Sequence, residues 1–137
     1  MSIFFNPLQQ AVYARLIVAM PTRRIYDSPP NQPDGMPESS FPYVVLGDDT
    51  LAPFDTDDSV GTSATVTIHV WSRYNGKKEV KTILGELYTA LNRQAATLSA
   101  AGYYFIDSLY EFGDIIEEAD GKTRHGVCRF RITMEKT

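Results

Sequence analysis

The side chains of this chain that could do chemistry are few. They are two histidines, His69 and His125, one cysteine, Cys128, and five aspartates within residues 48–58. A nucleophile–base enzyme needs a Ser, Cys or Thr held within reach of a positioned base. Cys128 lies on the apolar side of an alternating stretch, "VCRFRITM", and reads as a small core residue with a protonated thiol. His69 lies mid-strand beside two threonines and His125 lies in a hairpin, so two scattered imidazoles fall short of the three or four ligands of a zinc site. The aspartates test a calcium loop. Asp55 and Asp57 take its first and third places, but the glycine falls late, at Gly61, and Val66 stands where a bidentate Glu belongs. This segment, Asp48, Asp49, Asp55, Asp57 and Asp58, reads as a solvated acidic turn. No phosphate-binding loop and no glycine-rich dinucleotide fingerprint is present. The residues therefore argue against an enzyme and imply no cofactor and no metal.

The elements that would position these side chains follow from pattern. Residues 7–19 are expected to be helical, with Asn6 as N-cap, Pro7 at the first position, and Leu8, Val12, Leu16 and Ala19 on one stripe. Pro21 ends that helix. Residues 28–42 hold five of the eight prolines and predict a long exposed loop, either a partner-contact arm or a free surface loop. Residues 43–47 form a short apolar strand. Over residues 63–73, Val66, Ile68 and Val70 alternate with Thr65, Thr67, His69 and Trp71. The face with His69 and Trp71 suits a subunit contact, or else a helix of the same chain covers it. A second helix over 77–94, capped by Asn75, carries the stripe Val80, Ile83, Leu84, Leu87 and Leu91.

The last third reads as three strands. Residues 103–112 are aromatic, and Asp120–Gly121 sets a hairpin within 114–135 that places Glu117 opposite Arg124. Cys128, Phe130, Ile132 and Met134 are the inward set of the final strand, and Gly126 is a candidate bulge. Arg129 and Arg131 make a basic pair on its outer face, a local reversal of sign that could meet the aspartates of a neighbouring subunit. Strands in runs and helices apart from them predict an α+β fold, a mostly antiparallel sheet with two main helices packed on it.

Composition sets the outer limits. The 137 residues fit one domain, 1–137, with 43% apolar and 22% charged residues. The net charge of −4 disfavours nucleic-acid binding. The N-terminus lacks the features of a secretory signal, and the longest apolar run, "LIVAM", is far shorter than the ~20 residues that span a bilayer. Synthesis and folding in a cytoplasm, with no membrane partner, are the expectation.

Taken in order, "LQQAVYARL", "IYDSPP", "PYVVLGDDT", "TIHVWSRYNGKKEV" and "LYTALNRQ" resemble the small tail-completion proteins of long-tailed bacteriophages, the DUF3168 or gp17-like tail terminator family. The likeness rests on motifs over residues 8–94 and on pattern beyond them; the long Pro-rich segment departs from it. The resemblance implies a structural virion protein at the head-proximal end of the tail. It implies a homo-oligomeric ring, usually hexameric, that caps the tail tube, stops its polymerisation and offers the head connector a docking surface. Its partners would be the tail tube protein and head–tail connector proteins, with DNA passing through the lumen and no sequence-specific nucleic-acid binding. No catalytic residue is implied. A putting-together of ring contacts from the residues read above gives Asp48, Asp49, Asp55, Asp57, Asp58, His69, Trp71, Arg129 and Arg131 as the interface set. The competing readings are a head–tail connector or stopper subunit and a small ligand-binding domain.

Overall fold

A computed structural model describes residues 2–137. The chain begins with a 3-10 turn (Ser2–Phe4) and helix α1 (Phe5–Ala19). Strand β1 (Ile25–Tyr26) follows, then β2 (Tyr43–Pro53), β3 (Gly61–Ser72), helix α2 (Lys78–Leu91), β4 (Tyr103–Glu117) and β5 (Arg124–Lys136). The five strands form one sheet in the order β1-β2-β3-β5-β4, antiparallel except for the short β1–β2 pair. The fold is α+β, as the runs of strands imply.

One face of the sheet is the core. Val66, Ile68 and Val70 of β3 and Cys128, Phe130, Ile132 and Met134 of β5 are buried there with Leu8, Val12 and Leu16 of α1 and Val80, Ile83, Leu87 and Leu91 of α2. Both stripes expected from helical spacing therefore face inward, with Leu84 partly buried at the margin. Burial of each large aliphatic side chain contributes ~1.5–3 kcal/mol, which is why period-2 strands and period-3.6 helices converge on this layer.

Several local expectations are corrected. Helix α1 starts two residues early, so Asn6 and Pro7 lie in its first turn and Phe4 occupies the cap position without a side-chain bond. Pro7 is tolerated because first-turn N–H groups have no intrahelical acceptor. Asn75 does not cap α2 either. Lys77 holds that position, and the Ser72 hydroxyl organises the turn by donating to Glu79 (2.7 Å) and accepting from the Tyr74 N–H (3.2 Å). The last third has two long strands and not three, because β4 continues through Gly113. Asp120 and Gly121 sit in a six-residue connection, yet Glu117 does pair with Arg124. Gly126 marks no bulge. It keeps a ladder register, and a Cβ there would come within 2.7 Å of Val80 Cγ2, so the glycine lets α2 approach the sheet. The irregularities lie between Leu46 and Asp49 in β2, and in β4 between Phe105 and Asp107 and between Tyr110 and Phe112.

The proline-rich segment is ordered. It makes two 3-10 turns, Pro33–Gly35 and Glu38–Ser40, and buries Met36. Arg73 holds it: Nη2 donates to the Pro33 carbonyl (3.1 Å), Nη1 to Glu38 (2.6 Å) and Nε to Thr123 Oγ1 (3.0 Å), with the guanidinium 4.2 Å over the Phe41 ring. Residues expected to be exposed thus include a folded patch against the second face of the sheet. Tyr43, directly across from Trp71, is buried on that face beside Phe41 and Tyr26.

Candidate assembly surfaces

The second face of the sheet carries His69 and Trp71, and neither helix covers it, since both pack on the core face. His125 is directly across from Trp71 in the β3–β5 ladder, and its ring stacks on the indole with centroids 3.9 Å apart. His69 Nδ1 lies 2.7 Å from His125 Nε2, so one imidazole donates and the other accepts. Both are shifted below the usual histidine range, chiefly by burial; for His125 the neighbouring His69 adds to the effect. Glu118 stands 3.5 Å from His125 Nδ1 and pulls the other way. The two histidines that look scattered in the sequence are therefore neighbours. Among the described residues no group of three His, Cys, Asp or Glu side chains is placed to hold a metal.

Gly47 makes room for this pair. A Cβ there would fall 2.6 Å from His69 Nε2 and 3.0 Å from the Thr67 carbonyl oxygen. Gly47 and Asp48 lie in the irregularity of β2, and the register with β3 resumes at Asp49, across from Val66. Burial, with Asp48 and Asp27 nearby, raises the Asp49 carboxyl to about 6.

The five aspartates consequently divide. Asp48 lies near His69, Asp49 stands across from Val66 with Asp27 nearby, and Asp55, Asp57 and Asp58 occupy the tip of the β2–β3 hairpin. There Asp55 Oδ1 accepts the Gly61 N–H (3.1 Å) and Asp58 accepts from Thr56 (3.2 Å), local bonds that shape the turn. Arg129 and Arg131 lie along the second face, as their alternation requires. Glu111, displaced by the irregularity in β4, bridges them at 3.2 Å and 2.9 Å. Arg129 also stacks over Phe112 at 4.7 Å. The nine residues of the expected interface set are therefore dispersed over the subunit and do not form one patch.

Two surfaces were not read from the sequence. The first is β4, the edge strand next to β5, which exposes Tyr104, Ile106, Leu109, Tyr110, Phe112 and Ile116. The second is the outer side of α1, where Phe5, Tyr13, Ile17 and Val18 face solvent, Val18 at 72% exposure. The signal for the second was present: Phe5, Tyr13, Ile17 and Val18 are apolar residues of α1 that fall outside its buried stripe, among the polar Asn6, Gln9, Gln10 and Arg15. The Cys128 thiol is buried and pushed up to about 12, which removes its nucleophilic form. No helix among the described residues is long and apolar enough to cross a membrane.

These features can be set beside known proteins. The chain is similar to the tail completion protein gp17 of Bacillus phage SPP1, with 31% identity over 97 residues, covering 71% of this chain and 70% of the relative. Its fold is shared with a chain in a solved virion of a native gene transfer agent particle, at a TM-score of 0.75 and 21% identity, covering 93% and 94% of the two chains. The family model "Tail completion protein gp17" matches residues 10–135, the whole of the sheet and both helices bar their first and last few residues, and the chain belongs to that family.

Proposed function

We infer that this protein acts as a ring subunit that caps the phage tail tube, ends its polymerisation and presents the surface to which the head connector docks. It is a structural protein of a bacteriophage tail and not an enzyme. The observation that supports this reading is the family match over residues 10–135, which takes in nearly all of the sheet, α2 and most of α1. Hexameric stoichiometry, the tail tube and head connector as partners, and a place at the head-proximal end belong to the same reading. So does the interface set of Asp48, Asp49, Asp55, Asp57, Asp58, His69, Trp71, Arg129 and Arg131, serving as separate contacts. A ring needs one patch to meet a different patch on the next copy, and surfaces dispersed over the subunit suit that arrangement.

The test is a phage from which the gene has been removed. Its tails are expected to overrun their normal length and to fail to join filled heads, and both defects are expected to be cured by the protein supplied from a plasmid. Tails of normal length that still fail to join would overturn capping in favour of a connector subunit, as would absence of the protein from tails made without heads.

A further inference from the structure

We propose that His69 and His125 form an acid-operated latch: the pair keeps its contact with one added proton, parts when it takes a second, and in parting releases the indole of Trp71. This goes beyond the ring reading and does not depend on it.

The latch follows from counting protons. His69 Nδ1 and His125 Nε2 face each other at 2.7 Å, with the ring centroids 4.9 Å apart and the planes inclined by 28°. The nitrogens, and not the ring faces, are therefore the point of contact. Two neutral imidazoles carry one N–H each, so one facing nitrogen donates and the other accepts. One more proton leaves that bond in place, with an imidazolium donating to a neutral ring. A second proton fills every ring nitrogen. Two N–H groups would then point at each other across 2.7 Å and two positive charges would share the site, so the rings must separate.

His125 is clasped on three sides. His69 meets Nε2, Glu118 stands 3.5 Å from Nδ1, and Trp71 lies against the ring face with the planes only 8° apart. His69 backs onto Gly47, with Nε2 inside the space that a Cβ would need. Of the charged groups around the pair, Asp48 of β2 favours a charge on His69, and Glu118 of the β4–β5 connection favours one on His125. On β4, Ile116 stands across from His125, and Asp114 stands across from Val127, which pairs with His69 in β3. Asp120 is bonded within its own turn. Arg124 donates to the Lys122 carbonyl and Arg73 to Glu38, Thr123 and the Pro33 carbonyl, so neither cation bonds to an imidazole. Glu118 sits on the far nitrogen, so it supports the first proton and leaves the facing nitrogens as they are. Burial opposes charge on both rings, which places the second step at lower pH.

The output of the latch is Trp71. Gln32, Pro33 and Asp34 of the proline-rich segment and Glu118 and Ala119 of the β4–β5 connection line a groove with this indole. Trp71 is thus where the two segments meet on the second face, and loss of its imidazole stack frees that join.

The chain has two histidines and one tryptophan, so comparison with single variants gives every signal one owner. The test is a titration of the full-length protein between about pH 8 and pH 4. Nitrogen NMR follows the imidazoles, nuclear Overhauser contacts follow the Trp71–His125 stack, and far-ultraviolet dichroism follows the fold. Wild type is expected to show two steps more than about one pH unit apart. The first moves the signals of both rings together and leaves Trp71 stacked. The second removes the Trp71–His125 contact while the dichroism remains native. His69→Gln is expected to leave His125 titrating in one step with Trp71 stacked throughout, because no second imidazole opposes it. Rings that titrate independently, each without effect on the other's signals, would overturn the latch. So would a Trp71–His125 contact that persists to the end of the titration, unfolding that sets in before that contact is lost, or the wild-type loss of contact surviving in His69→Gln.

Discussion

Replacing Arg73 with alanine tests whether one side chain orders the proline-rich segment. The Arg73 side chain is only 9% exposed, so its bonds are made largely out of water. The bonds to the Pro33 carbonyl and the Thr123 hydroxyl contribute ~1 kcal/mol each, and the stack on Phe41 adds ~0.5–1 kcal/mol. Glu38 is exposed, so its ion pair is left out of the sum. The Thr123 hydroxyl keeps a partner after the substitution because it also donates to Asp120, which limits the loss. Arg73→Ala is therefore expected to cost about 2–3 kcal/mol in urea unfolding, with an unchanged slope. Arg73→Lys should recover less than half, since an ammonium lacks the planar fork that reaches three acceptors at once. Limited proteolysis should open residues 28–42 in the alanine variant first. A loss under 0.5 kcal/mol together with wild-type protease resistance in that segment would refute the reasoning.

Other outcomes follow from the same geometry. Gly126→Ala is expected to destabilise by about 1–3 kcal/mol, measured by urea unfolding, because its methyl would press on Val80 and Leu84. Tyr43→Phe is expected to be neutral or stabilising by up to ~1 kcal/mol, since the Tyr43 hydroxyl is buried without a hydrogen-bond partner and its pKa is pushed up to about 12. Asp49 titrates higher in the folded chain, about 6 against 3.8, so its effect favours folding below pH 3.8 and is lost as pH rises through 6. Asp49→Asn should then stabilise the protein by about 1–2 kcal/mol at pH 8, discounted for partial exposure, and by nothing at pH 3. His69 and His125 are shifted down, so their contribution is present above the ordinary histidine value of 6.5 and is lost as pH falls through their lower folded values. A paired His69→Gln/His125→Gln variant should flatten the stability change between pH 7 and 5, read from thermal melts at each pH.

What could be read from the sequence was whatever depends on near neighbours. The α2 stripe, the β3 alternation, the inward set of β5 and the Glu117–Arg124 pairing all rest on residues close along the chain, and the structure has each of them. The His69–His125 contact was hidden because β3 and β5 pair across α2 and β4, and no local signal sets that register. Gly113 reads as a strand end, yet β5 pairs across it and β4 runs on. The order in residues 28–42 was hidden for a similar reason, since it depends on Arg73, which lies beyond two strands in sequence. The exposed face of α1 was legible in Phe5, Tyr13, Ile17 and Val18, apolar residues that fall outside the buried stripe.

The strand order also bears on how the protein is made. β3 lies in the middle of the sheet, but its second neighbour, β5, is made only after α2 and β4. Until then the β2–β3 hairpin has one finished edge and one open one, and Val66, Ile68 and Val70 lack the β5 residues that complete their layer. Contacts between residues this far apart in sequence make folding slow compared with a helical protein of the same size. From the end of β3 at Ser72 until β5 is made, the nascent chain therefore holds an unfinished, sticky intermediate, and its yield should depend on chaperone supply more than its final stability would suggest.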